Sequence, residues 1–196
     1  MLIDFQNWKI KMCEWANSIH FTCKIIKHIS VGSVGDSYTV EITGKYDEIG
    51  LIKVNQNAGG SDIEVVPSFL WCEYFNKKLI NFDLSLFHKD FLDRLLNTGK
   101  IKSGNKIFDK TFGVLSSDKH LADKILSDSG IQSIFLKNRL LILNVNKKES
   151  VITFKNMATG LYEIKELDNM LNDFIYILRI INNILFLYNS QRFPKN

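Results

Sequence analysis

The chain has 196 residues, 45% hydrophobic and 23% charged, the balance of an ordinary globular protein with enough length for a real core. Only 2 prolines and 11 glycines occur, so no long flexible linker is expected and one domain over 1–196 is, with a short flexible tail from about residue 190. The net charge of +4 is lysine-borne, Arg94, Arg139, Arg179 and Arg192 being the only arginines, and a scarcity of planar phosphate- and base-reading forks weighs against nucleic acid as a partner.

The opening "MLIDFQNWKIKMCEW" carries Asp4 and lacks the apolar stretch and small-residue cleavage site of a signal peptide. Within it, Phe5, Trp8, Met12, Trp15 and Ile19 recur at steps of three and four, predicting a helix that begins near Asp4. "HFTCKIIKHI" and "DSYTVEITGKYD" alternate in the manner of half-buried strands. "GLIKVNQ" and "SDIEVVPSF" continue the β pattern across a turn at "NAGGSD" (57–62), and Pro67 ends the second segment or places it at an edge.

Next, "FDLSL" alternates and "LFHKDFLDRLLNTG" takes helical spacing at Phe87, Phe91, Leu95 and Leu96, with Thr98-Gly99 as its stop. "KIFDKTFGVL" reads as a strand. Ser117 is the expected N-cap of a helix carrying Leu121, Ala122, Ile125 and Leu126, stopped by Gly130. "RLLILNV" and "SVITF" flank Asn146-Lys147-Lys148-Glu149 as a hairpin. The motif-like similarity of "KDFLDRLL" (89–96) and "KHLADKIL" (119–126) suggests a duplication or two amphipathic helices that converged.

The last element, 164–188, carries Ile164, Leu167, Leu171, Phe174, Leu178, Ile181, Leu185 and Tyr188 in an unbroken stripe. A helix buried against the sheet is the preferred reading, with a homodimer seam and a membrane anchor as alternatives. Arg179, Asn182 and Asn183 interrupt the stretch that would have to cross a bilayer.

The expected architecture is therefore α+β, with a largely antiparallel sheet (a mixed one as the alternative), helices packed on one face and a long C-terminal helix. Cys13, Cys23 and Cys72 are odd in number and irregularly spaced, which predicts reduced, packing thiols in a cytoplasm and no disulfide. The richness in Lys, Asn and Ile fits an AT-rich bacterial genome.

No catalytic, metal or cofactor residue is expected. His20, His28, His88 and His120 form no ligand spacing, there is no G-x-S-x-G elbow, and Cys72 sits among bulky apolar residues where a thiol is inert. Glu163-Ile164-Lys165 matches a nuclease E-x-K but begins a helix, and "NAGG" (57–60) precedes no helix and so cradles no phosphate. Lys100, Lys102, Lys106 and Lys110 could hold an anionic ligand or partner; their plainer reading is a solvated edge that keeps a strand from mispairing. Asp109 is expected on a strand, facing water or pairing with Lys110 or Lys119.

The segment from Gly104 to Asp118 resembles one in a loose group of uncharacterised bacterial proteins, with the form Gly-Asp, two residues, Phe-Asp, two residues, Phe-x-Val, then an Asp before a helix. Gly104, Phe108, Asp109, Phe112, Val114 and Asp118 match, and Asn105 stands where the group has Asp. The likeness extends over residues 35–185, through the "ITGKYDEIGLIKV" hairpin, and many of those proteins carry membrane-spanning segments ahead of this region. The resemblance implies one fold and no activity, and the segment reads as a structural corner.

Two functions follow as expectations. The first is a soluble cytoplasmic binding or protein-interaction module, monomeric or dimeric through the C-terminal helix, with peripheral membrane contact left open and no spanning segment. The second is a small-molecule-binding or hydrolytic enzyme using Asp109, Asp118 and the lysine-rich loop around an anionic substrate near residues 100–118, with Asp109 counted beside Lys100, Lys102, Lys106 and Lys110 as a possible anion or partner contact.

Overall fold

Alternating residues become strands and three-to-four spacing becomes helices in the computed structural model, which describes residues 5–28, 37–46, 51–59, 70–75, 80–90, 101–157 and 163–192. In chain order these residues form α1 (Phe5–Ser18), β1 (Thr22–His28), β2 (Ser37–Lys45), β3 (Leu51–Gly59), β4 (Leu70–Phe75) and β5 (Leu84–His88). Then follow α2 (Lys106–Thr111), β6 (Phe112–Ser116), α3 (Lys119–Leu126), α4 (Ser129–Lys137), β7 (Leu141–Asn146), β8 (Val151–Asn156) and α5 (Ile164–Arg192). The protein is α+β with antiparallel strands and a long C-terminal helix, as its periodicities require. The chain divides into two compact units, 1–75 with 155–171 and 76–154 with 172–196.

In the first unit the strands neighbour one another in the order β1-β2-β3-β4. Because side chains alternate across a strand, Val40, Ile42, Ile52, Val54, Leu70, Cys72 and Tyr74 fall on one buried face. Helix α1 packs on β1 and β2, burying Trp8, Met12, Trp15 and Ala16. The Lys9 ammonium lies 4.7 Å from the centre of the Tyr38 ring, and the Trp15 indole donates to Asp168 in the first turns of α5. The opposite face is polar: Glu41 stands across from Lys24 and Asn55, and Lys53 across from Glu73.

Cys13 of α1 and Cys23 of β1 form a disulfide, which overturns the expectation of three reduced thiols. Spacing along the chain concealed it: the helix turns back at His20 into β1, and that return brings the two Cα atoms to 5.2 Å. Cys72 is buried, and burial pushes its thiol far up from the ordinary value, the chemistry of an inert packing group.

In the second unit the order is β8-β7-β5-β6, with β5 paired to both β6 and β7. Leu84, Leu86, Val114, Phe112, Leu143, Val145, Ile152 and Phe154 form its buried face. A relay of aromatic rings fills this side: Phe108–Phe112 at 4.9 Å, Phe112–Phe135 at 5.5 Å, Phe135–Phe154 at 5.9 Å and Phe154–Phe174 at 5.9 Å. Those rings belong to α2, β6, α4, β8 and α5, so one core joins three helices to one face of the sheet. On α5, Phe174, Ile177, Leu178, Ile181 and Leu185 are buried. By length and composition α5 is also apolar enough to cross a bilayer. Tyr188 donates to Asp118 at 3.1 Å and Tyr176 to Asp128 at 3.0 Å, which seats α5 beside the starts of α3 and α4.

Several local expectations change. "KIFDKTFGVL" is a strand only from Phe112; its first half is α2, because Asn105 caps it and Phe108 is drawn into the ring relay. Asp118, not Ser117, caps α3, accepting from Leu121 N–H at 3.0 Å, and Ser117 instead accepts from Asp83 N–H at 2.8 Å. Gly130 lies inside α4, whose cap is Asp128. Phe87 and His88 end β5 and Lys89 and Asp90 follow without helix, so the helix expected from Phe87 does not begin there; 91–97, the Thr98-Gly99 stop and the 91–96 part of the repeat lie outside the described residues. Strand β3 runs on through Gly59, and "SDIEVVPSF" with Pro67 also lies outside them.

Candidate anion-contact site

Gly104 takes a φ of +83°, a left-handed conformation that glycine adopts without steric cost, and so turns the chain into α2. Asn105 then caps the helix, its Oδ1 accepting from the N–H groups of Ile107 and Phe108 at 3.0 and 3.2 Å. Its amide also donates to Gln132 Oε1 at 2.8 Å, and buried Gln132 donates to the Leu126 carbonyl at 2.6 Å. The Asn105 amide supplies the donor of that bond.

Asp109 sits on α2, not on a strand, and pairs with neither Lys110 nor Lys119. It is half-buried, and its Oδ1 accepts from the N–H and hydroxyl of Ser103 at 2.7 and 2.8 Å, holding the preceding loop. Buried Lys89 donates to the Asp109 carbonyl at 2.9 Å. Every matching position of the motif thus serves the scaffold. Gly104 turns the chain, Asp109 and Asp118 accept local donors, and Phe108, Phe112 and Val114 enter the core.

The lysines sort differently. Lys100 lies outside the described residues, and Lys102 is exposed on the loop. Lys106 and Lys110, four residues apart and exposed on α2, which runs directly into the edge strand β6, share one hollow with Arg139. Its volume is about 470 Å³, and Ile107 and Thr111 complete the lining, with no acidic side chain among them. Like charges at i and i+4 cost a helix about 0.2–0.5 kcal/mol, a cost that nothing in the lining offsets. Sequence reasoning missed Arg139, which appeared there only as one arginine among four. Asn138 sets its position: the Asn138 side chain accepts from Leu140 N–H at 3.0 Å, forming the tight turn between α4 and β7 that presents Arg139 and Leu140. Ile107 and Leu140 are 67% and 51% exposed, a large apolar contribution beside the cations.

A second concavity, of about 690 Å³, lies on the polar side of the second unit's strands. Ser85, Leu115, Asn144, Thr153, Asp83 and Glu149 are among the residues that line it. Its polar groups largely bond one another: Ser85 donates to Asn144 at 2.8 Å, Ser116 to the Asp83 carbonyl at 2.6 Å, and Lys147 N–H to Asp83 Oδ1 at 2.9 Å. Among the described residues no group of three or more His, Cys, Asp or Glu is placed to hold a metal ion.

The chain matches no protein-family model, no curated protein and no solved structure.

Proposed function

We propose that this chain is a non-enzymatic binding or protein-interaction module that meets its partner through the surface of α2 and the α4–β7 turn. The observation that carries the reading is the hollow of Lys106, Lys110 and Arg139, three cations from two elements with no acid in the lining and exposed Ile107 among them. Cations gathered without compensation favour an oppositely charged surface and speed its approach.

A small anionic substrate is the second reading, because about 470 Å³ lies within the size range of small-molecule sites. The polar groups at hand favour binding over turnover: the Thr111 hydroxyl donates to the Ile107 carbonyl at 2.8 Å, and the Asp109 carboxylate is occupied by Ser103.

A photo-reactive side chain placed at position 107 tests the proposal, with one at Lys148 on the β7–β8 turn as the control. A single protein captured at 107, absent at 148 and lost in Lys106→Glu/Lys110→Glu, is the expected result. Equal capture at both positions, or capture indifferent to the charge reversal, contradicts it.

A further inference from the structure

Resting on the binding-module reading, we infer that the occupant of the Lys106–Lys110–Arg139 hollow is an acidic peptide segment that carries an apolar side chain among its carboxylates. Two lysines on one helical face and an arginine from a separate turn present three positive groups, and each suits a carboxylate. The arginine fork can take one in a bidentate pair, and the lysine ammoniums act as point charges on flexible stems.

The apolar part of the surface sets the rest of the chemistry. Ile107 lines the hollow and is 67% exposed, and Leu140, 51% exposed, follows Arg139 in the same turn. An inorganic anion would satisfy the cations and leave that apolar surface in water, whereas an acidic segment with a leucine-like side chain covers both. A single-stranded nucleic acid would use aromatic side chains for base stacking, and the lining contains none. The sequence pI of about 8.8 adds a general attraction for an acidic partner, which salt screens.

The test is a titration of the full ¹⁵N-labelled chain, read by amide shifts, with a short oligoglutamate carrying one leucine. Oligoglutamate alone, tripolyphosphate and oligothymidylate serve as comparison probes. Saturable shifts at Lys106, Ile107, Lys110, Arg139 and Leu140 are expected, tightest for the leucine-bearing peptide. Binding should weaken about tenfold or more in Lys106→Glu/Lys110→Glu and fall with added salt. That variant replaces exposed side chains, and its remaining amide spectrum reports whether it is folded. Tripolyphosphate or oligothymidylate binding as tightly as the peptide, shifts centred elsewhere, or no shifts at all would overturn the inference. If the peptides fail while position 107 still captures a protein, only the acidic-peptide inference falls; if both fail, the module reading falls with it.

Discussion

The polar face of the first unit and the α2 surface of the second both carry lysines, but in opposite company. On the first, Lys53 lies 3.0 Å from Glu41, stands across the strands from Glu73 and sits 5.8 Å from the Phe75 ring centre. Its charge is used inside the fold, as a cross-strand pair. On the second, Lys106 and Lys110 share a lining with Arg139 and no acid. Lysine count alone therefore says little; the sign of the neighbours separates a charge paired within the sheet from one with no acid in its lining.

The largest expected effect concerns the core on which the second unit's surface rests. Leu178 is fully buried, so Leu178→Ala should cost about 2–5 kcal/mol through lost transfer energy and a residual cavity. Chemical denaturation measures the loss. Sedimentation of wild type should give a monomer; a wild-type dimer yielding a well-folded mutant monomer would move this residue from core to interface.

In the first unit the disulfide is the corresponding anchor. It closes a separation of 10 residues, for which about 2–3 kcal/mol is expected. Cys13→Ser/Cys23→Ser, or full reduction, should lower the thermal midpoint, and intact mass should be two hydrogens below the all-thiol value. Because such bonds persist in oxidising surroundings, the same mass taken on protein from its native compartment bears on the cytoplasmic expectation.

Removing the cap that orients α2 should have a smaller effect. Asn105→Ala leaves two helix N–H groups and Gln132 without their partner and should cost about 1 kcal/mol or somewhat more. Asn105→Asp keeps the cap acceptors and loses the bond to Gln132, so it should cost less. Equal losses in urea unfolding would show that the Gln132 bond, not the cap, is what matters.

The last effect separates the two polar surfaces by pH. Half-burial raises the Glu73 carboxyl above the ordinary glutamate value, opposed by the Lys53 ammonium and hydrogen bonds from Trp71 and Asn55, with Glu41 adding to the rise. The folded state therefore holds this proton after the unfolded chain has released it. Its contribution to stability is complete below the ordinary glutamate pKa and is lost as pH rises through the folded value. Glu73→Gln should flatten that slope and gain stability towards neutral pH; a steeper slope would contradict the assignment.

The sequence discloses these features unevenly. Strands β1, β2, β3, β5, β7 and β8 and helix α5 are readable because their apolar residues keep a strict period over many positions. Helix α2 is not, because six residues are too few to show a helical period and Phe108, Phe112 and Val114 also suit a strand. Its cap, Asn105, shows in the sequence only as part of a structural corner. The Cys13–Cys23 bond and the hollow escaped for a shared reason: each joins side chains that local spacing leaves unrelated, and only the helix-to-strand return at His20 or the Asn138 turn brings them together. That Lys106 and Lys110 share a hollow follows from their spacing on α2, whereas Asp109 falls on a helix and not a strand, its carboxylate taken by Ser103 ahead of α2.

Scaffold and proposed contact lie within a few residues of one another on α2: Asp109 holds the loop, and Lys106 and Lys110 line the hollow proposed to take the partner. Capture yield from a photo-reactive group at position 107, compared between Asp109→Asn and Lys106→Glu/Lys110→Glu, tests this division directly. With both proteins verified as folded, Asp109→Asn should keep most of the yield at a lowered thermal midpoint, and the lysine reversal should abolish it at an unchanged midpoint. Loss of capture in folded Asp109→Asn with full yield in the lysine reversal would contradict it.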